Sequence, residues 1–366
     1  MKILFVTGTL THGGAQRVIS VVSGKLAELG HDVSLIIYKK FENEYHTHER
    51  VKRFYLAENE EVYEKISGFR RVIMLRRLLR KIKPDVAVGF LEGGYGMFIS
   101  SIGMCFKKIA SARVNPKYIF EESGSRGFLN KLWFRRADAV VLQTQSQTKF
   151  LTKSCGWKNI NIIPNPVSEA ALRSPAHDYG RNVSRLVMAG RLNEQKDYPT
   201  AIDAMKTVHE KFPDIKLDIY GEGDIRPMLE KKIQDMGLEN TVSLKGWTKD
   251  VVSEYEKSDL YIMSSAYEGM PNSLMEAMAC GMVCISTDCE TGPSDLIENG
   301  KNGFLIPAGD AASLARRIVD IAQMTKEQRK KLGTEAKKTI EESYSGTYIG
   351  KRWETLVKSL LRSEEK

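Results

Sequence analysis

The chain has 366 residues, 42% of them hydrophobic and 28% charged, with a formal net charge of +9. That length suits two packed domains rather than one, and no apolar run is long enough to span a bilayer. The five cysteines (105, 155, 280, 284 and 289) lack a C-x-x-C pair and the histidines are scattered, which argues against a zinc site or disulfide framework and for core packing. In chain order, the start MKILFVTGTLTHGGAQ has an apolar part, Ile3 to Val6, too short for a signal peptide, and no small-residue cleavage site follows. It reads as a first buried strand, Lys2–Thr7, and the expected location is the cytoplasm. A helix over Ala15–Leu29 and a strand over Asp32–Tyr38 follow.

The loop between that strand and helix is Gly8-Thr9-Leu10-Thr11-His12-Gly13-Gly14. A P-loop would need Lys-Ser/Thr after its last glycine, where Ala15 stands. A dinucleotide fingerprint would need an acid ending the next strand, which instead runs Tyr38-Lys39-Lys40. A glycine pair at a helix start remains. It lets backbone N–H groups approach a phosphate or a sugar, and a tight strand–helix turn explains it equally well.

A short strand is expected over Val51–Leu56. Next comes a basic amphipathic helix. Arg70, Arg71, Arg76, Arg77, Arg80, Lys81 and Lys83 interleave with Val72, Ile73, Leu75, Leu78, Leu79 and Ile82 near helical period. Its apolar face should pack on its own domain. Its basic face then meets solvent, which is compatible with an anionic membrane surface and less so with nucleic acid, for which no binding motif or interleaved aromatic pattern is present. Strands follow at Asp85–Phe90, Ile109–Arg113, Ala139–Thr144 and Ile160–Ile163. The stretch Pro164 to Val183, with Pro164, Pro166, Pro175 and Gly180, reads as a linker. Alternation restarts at Arg185–Ala189, Lys216–Tyr220, Thr241–Leu244, Asp259–Met263, Val283–Thr287 and Phe304–Ile306. The tail from Tyr344 is helical, with Trp353, Leu356, Leu360 and Leu361 at helical spacing. The pattern predicts an α/β protein of two doubly wound, Rossmann-like domains facing a cleft. The first covers 1–168 and takes back the final helix, 345–366; the second covers 181–344.

Two constellations carry chemistry. Strand Arg185–Ala189 runs into Gly190-Arg191 and then Lys196, placing two cations on a loop at the carboxyl edge of the sheet. Fixed cations there suit a diphosphate and oppose charge on a phosphate leaving group. The second is SSAYEGMPNSLMEAMACG, Ser264 to Gly281. Glu268 lies in the loop after a strand, Pro271-Asn272-Ser273 start a helix, and Glu276 lies in its first turns. An anion belongs at such a helix start. Carboxylates beside it accept hydrogen bonds from hydroxyls, so a sugar nucleotide fits. Read singly, the glutamates are equally caps or dipole partners, and Arg191 and Lys196 are more simply surface residues in a turn; side by side, the two loops favour the binding reading.

GRLNEQK, YEGMPNSLMEAMACGMVCISTDCETGPSDLI and NGKNGFLIPAGD, with TLTHGGAQRV near the start, together resemble the retaining family-four glycosyltransferases of the GT-B fold. The resemblance implies that Arg191 and Lys196 hold the donor diphosphate, Glu268 contacts sugar hydroxyls, and Glu276 binds the ribose. It implies that Met270, Pro271, Asn272 and Ser273 line the sugar and phosphate site, with Gly13 and Gly14 on the facing domain. It also puts Gly221, Gly246 and Trp247 near the base. Many relatives carry a histidine in the first domain where this chain has Ser111-Ala112-Arg113-Val114-Asn115-Pro116. Arg113 and Asn115, with His12 of the glycine loop, become candidates for the sugar or acceptor side. The resemblance implies transfer of a hexose or N-acetylhexosamine, without metal or other cofactor, from a UDP-sugar. The acceptor would be a carbohydrate or lipid-linked hydroxyl in surface-glycan assembly, and the basic helix over Arg70–Lys83 would hold the chain at the inner face of the membrane, where a lipid-linked acceptor lies. A GT-B epimerase or sugar-phosphate synthase, and a non-catalytic nucleotide-sugar scaffold, are the alternatives.

Overall fold

The computed structural model describes all residues except 12, 91, 92, 114, 116–124, 156–158 and 363–366, and the side chains of 125, 126 and 151–155. The chain forms two compact units. One is Met1–Pro166 with Gly346–Lys366, the other Val167–Ser345.

The first unit holds β1 (Lys2–Thr7), β2 (Asp32–Lys39), β3 (Lys52–Ala57), β4 (Val86–Phe90), β5 (Lys107–Ser111), β6 (Ala139–Leu142) and β7 (Ile160–Ile162). They form one parallel sheet in the order β3-β2-β1-β4-β5-β6-β7. Ile3 lies opposite Val33 on one side and Val86 on the other. The central strands are apolar and buried almost throughout, as a parallel sheet covered on both faces requires. Strand order reverses between β1 and β4, so the glycine loop opens at the switch point where such sheets bind ligands.

The helix Gly346–Arg362 belongs to this unit and lies against the helix Gly14–Glu28. Its Trp353 is fully buried, 6.1 Å from the ring centroids of both Phe5 and Phe90. Gly350 permits the approach: a Cβ there would stand 2.8 Å from the Cβ of Lys25.

The second unit repeats the design with β8 (Arg185–Ala189), β9 (Lys216–Tyr220), β10 (Val242–Gly246), β11 (Leu260–Met263), β12 (Val283–Thr287) and β13 (Phe304–Ile306). The order is β10-β9-β8-β11-β12-β13, all parallel, and the switch point lies between β8 and β11. Both units are therefore doubly wound α/β domains.

Three features differ from the sequence expectation. Much of the expected linker is packed into the second unit. Val167 and Ala171 are buried in its core, and the Val167 N–H donates to the Tyr344 carbonyl. Proline and glycine content signalled irregular backbone there, not exposure. Second, core packing accounts for Cys280, Cys284 and Cys289, but Cys105 is exposed; the Cys155 side chain lies outside the described residues. Third, the basic helix, Gly68–Ile82, fully buries only Leu75 and Leu79, and several of its cations are engaged. Arg71 lies 3.9 Å from the Tyr63 ring centroid and pairs with Glu64. Arg76 donates to the carbonyls of Ser100 and Ile102. Among the described residues no helix is long and apolar enough to cross a membrane.

Candidate functional site

The site residues of the second unit converge at the β8/β11 switch point. The loop after β8 carries Arg191 and, through a short 3-10 turn over Glu194–Lys196, Lys196. The loop after β11 carries Glu268. Several contacts join these two loops. The Lys196 ammonium meets Glu268 Oε1 at 2.5 Å. Gln195 donates from Nε2 to the Tyr267 carbonyl at 3.0 Å. The Ala266 N–H donates to the Gln195 carbonyl at 2.9 Å, and Ser264 Oγ to the Lys196 carbonyl at 2.8 Å.

Glu268 is 6% exposed. Its Oε1 accepts from both Lys196 and Ser265 Oγ (2.8 Å), whereas Oε2 has only a 3.4 Å contact with Gln195. Oε2 is thus the oxygen with accepting capacity left, and the three-donor ammonium of Lys196 keeps protons for a second acceptor. The loop after β12 supports this carboxylate from behind. Thr291 Oγ1 donates to the Glu268 carbonyl, and Thr287 Oγ1 to the Ser265 carbonyl at 2.6 Å. Gly292, at φ 101, presses on the same loop: a Cβ would sit 2.8 Å from the Gly269 carbonyl oxygen and 2.9 Å from Pro271 Cδ. Arg191 differs from Lys196. It is exposed, and its guanidinium has no partner among the described residues.

The helix Asn272–Ala279 starts beside this pair. Its N-cap is Pro271, which supplies no side-chain cap. Met270 and Pro271 are buried, and Asn272 and Ser273 half-buried; Ser273 Oγ is 2.8 Å from the Tyr261 hydroxyl. Glu276, the fifth helical residue, is 4% exposed.

Gly221 and Gly246 hold the neighbouring loops. The Gly190 N–H donates to the Tyr220 carbonyl and the Gly221 N–H to the Gly246 carbonyl, at 3.0 and 2.8 Å. Gly221 has φ 146, and a Cβ there would stand 1.9 Å from the Gly190 carbonyl oxygen. Only glycine fits that approach. Trp247, next to Gly246, is 57% exposed.

The remaining predicted residues lie in the first unit. Gly13 is the N-cap of Gly14–Glu28, with no side-chain cap. His12 lies outside the described residues. Arg113 is 5% exposed and stacked, its guanidinium carbon 4.7 Å from the Phe90 ring centroid and 5.6 Å from that of Trp353. It donates to Ser111 Oγ and Asn165 Oδ1, both at 2.9 Å. Burial lowers its pKa to about 9. Asn115 is likewise buried, at 4%. Arg113 is thus a core cation at the ends of β5 and β7 rather than an open surface group.

Sequence reasoning missed Gln195, Ser265, Tyr261, Thr287 and Thr291. All but Gln195 lie next to a strand end or helix start, but a single Ser, Thr or Tyr there carries no distinctive spacing. Among the described residues no cluster of three His, Cys, Asp or Glu could hold a metal ion.

Two family models cover most of the chain: glycosyl transferases group 1 over residues 177–339 and Glycosyltransferase Family 4 over residues 12–170. An uncharacterised glycosyltransferase of Methanocaldococcus jannaschii is 29% identical over 62% of this chain and 61% of its own length, so the chain spans about three fifths of that relative. An α-1,4-N-acetyl-D-galactosaminyltransferase of Campylobacter jejuni, which acts on a diphospho-undecaprenol-linked glycan, is 26% identical over 98% of both chains. The Anabaena protein HepE, solved with UDP and glucose, superposes with a TM-score of 0.79 at 18% identity, covering 98% of this chain and all of that one.

Proposed function

The chain belongs to the group 1, family-four glycosyltransferases, enzymes of the GT-B fold, and from that premise we propose a specific reaction. It moves a hexosyl or N-acetylhexosaminyl unit from a UDP-sugar to a hydroxyl of a carbohydrate or lipid-linked glycan, with retention at the anomeric carbon. The observation that carries this reading is the Lys196–Glu268 pair beside the start of the helix Asn272–Ala279, where Pro271 supplies no side-chain cap. It puts one cation, one carboxylate and one helix start at a single switch point, which supports a site for a phosphate with hydroxyls beside it. The HepE complex with UDP and glucose, and the lipid-linked acceptor of the Campylobacter relative, support the donor and acceptor classes.

In this reading the helix start and Arg191 receive the donor diphosphate. Glu268 Oε2 accepts hydrogen bonds from sugar hydroxyls, and Glu276 from the ribose. The bond between the anomeric carbon and the phosphate oxygen breaks as the acceptor oxygen approaches the same face. The acceptor proton passes to the departing phosphate oxygen, and UDP leaves. Arg191 and the unspent donors of Lys196 oppose the charge that builds there, which is where preorganised groups lower a barrier. The two cations serve in place of a divalent ion.

UDP release that depends on added acceptor tests the transfer. It is expected to survive EDTA. Complete loss in EDTA, restored by Mg²⁺ or Mn²⁺, would contradict the metal-free mechanism; donor turnover without acceptor would favour an epimerase, and donor binding with no turnover under any condition would favour a scaffold. Reversible attachment to an anionic membrane surface belongs to the same proposal. Arg70, Arg77, Arg80 and Lys83 are exposed, and Phe69, beside Arg70, is 76% exposed.

A further inference from the structure

A groove lies in the Val167–Ser345 unit, away from the switch point. It measures about 520 Å³. One wall is the helix Lys326–Ser343, whose Lys326, Lys330, Lys337 and Lys338 line it with Thr334. The facing wall is the segment 176–180, and the floor includes Gly281. Gly281 follows the carboxyl end of the helix Asn272–Ala279, whose eight residues separate the groove from the donor site by about 12 Å of helix.

The floor is tightly built. Tyr179 donates its hydroxyl to the Gly281 carbonyl, and a Cβ on Gly333 would meet that same carbonyl oxygen at 2.0 Å. That carbonyl, at the negative end of a helix, is therefore already partnered. Four lysines line the groove against two acidic residues, Asp178 and Glu341. Lys337 spends one proton on the Ser174 carbonyl at 2.9 Å. His177 has a buried Nδ1 with no partner among the described residues. Burial pushes its imidazole down to about 4, so the ring is neutral near pH 7 and adds no charge.

We propose that this groove is a binding site for an elongated, phosphate-rich anion. The lysines run from 326 to 337 along one helix face, about 17 Å at 1.5 Å per residue. A single phosphate meets two of them at most, whereas a chain of linked phosphates meets the row. Four cationic residues along one partly exposed wall attract an anion through its charge, and this attraction weakens as salt rises. The lysines have no role in the reaction above, so the groove stands or falls independently of the donor site.

Isothermal titration of inorganic tripolyphosphate into the full chain tests the assignment. Two classes of site are expected in the wild type. Lys196→Ala should remove the donor-site class and leave the groove class. The triple variant Lys326→Ala/Lys330→Ala/Lys338→Ala should weaken the groove class at least tenfold and leave the other. Thr334→Trp fills the groove while every charge remains, and it should weaken the groove class to the same degree. Inorganic phosphate should bind the groove at least tenfold more weakly than tripolyphosphate. A groove class that survives either groove variant, a single class abolished by Lys196→Ala, or equal affinity for the two anions would overturn the proposal. A groove class without a donor-site class would uphold it and count instead against the diphosphate assignment of Lys196.

Discussion

Arg191 and Lys196 carry the same charge but are held differently, and variants separate their roles. Lys196 is half-buried and paired at 2.5 Å with a buried carboxylate. Its removal strands Glu268, which costs stability as well as turnover. Arg191 is exposed, so Arg191→Ala should change stability by no more than about 0.5 kcal/mol. Turnover should nonetheless fall by about two to three orders of magnitude if the guanidinium opposes leaving-group charge. Steady-state rates beside thermal melts check both halves; near-normal turnover would remove Arg191 from the reaction. The two glutamates separate in the same manner. Glu276→Gln should weaken UDP binding itself, measured by calorimetry. Glu268→Gln should leave UDP affinity closer to normal and blur discrimination between donor sugars, seen in kcat/KM for a panel of UDP-sugars. Unchanged UDP affinity in Glu276→Gln would end the ribose assignment.

At the scale of elements, the site depends on how closely neighbouring loops approach. Gly221 has φ 146 and leaves no room for a Cβ beside the Gly190 carbonyl. Gly221→Ala should therefore cost more than about 1 kcal/mol and displace the loop carrying Arg191 and Lys196. The check is a lowered Tm with a raised KM for the donor; a variant normal in both would show that the loops adjust freely. The elements themselves were legible in the sequence. The strands Lys2–Thr7, Arg185–Ala189, Lys216–Tyr220, Val283–Thr287 and Phe304–Ile306 have the expected bounds, because each is a short run rich in apolar residues that stops at a glycine, proline or aspartate. The start of the helix at Asn272 was also legible, since Pro-Asn-Ser is local chemistry. The direct Lys196–Glu268 pair was not, because 72 residues separate the partners and no spacing rule joins them. Nor was the burial of Arg113, which depends on Trp353 in a helix near the other end of the chain.

At the scale of the whole molecule, a net charge of +9 gives the chain a general attraction to anionic surfaces, and the helix Gly68–Ile82 concentrates it. Only part of that helix's charge is available. Arg71 and Arg76 are engaged by Glu64, the Tyr63 ring and backbone carbonyls, and Lys81 lies 5.9 Å from the Phe54 ring centroid. Arg70, Arg77, Arg80 and Lys83 remain. At about 1 kcal/mol per cation near an anionic leaflet, four give about 4 kcal/mol, a weak and reversible attachment. Exposed Phe69 would add an apolar contact that salt does not screen. Co-sedimentation with liposomes separates the contributions. Binding should require anionic lipid and fall steeply as salt rises. Arg77→Glu/Arg80→Glu should abolish it, while turnover on a soluble acceptor stays unchanged. Phe69→Ser should lower binding at every salt concentration without altering its salt dependence. Equal binding to neutral liposomes, or none to anionic ones, would remove membrane attachment from the proposal and leave the donor-site reading intact.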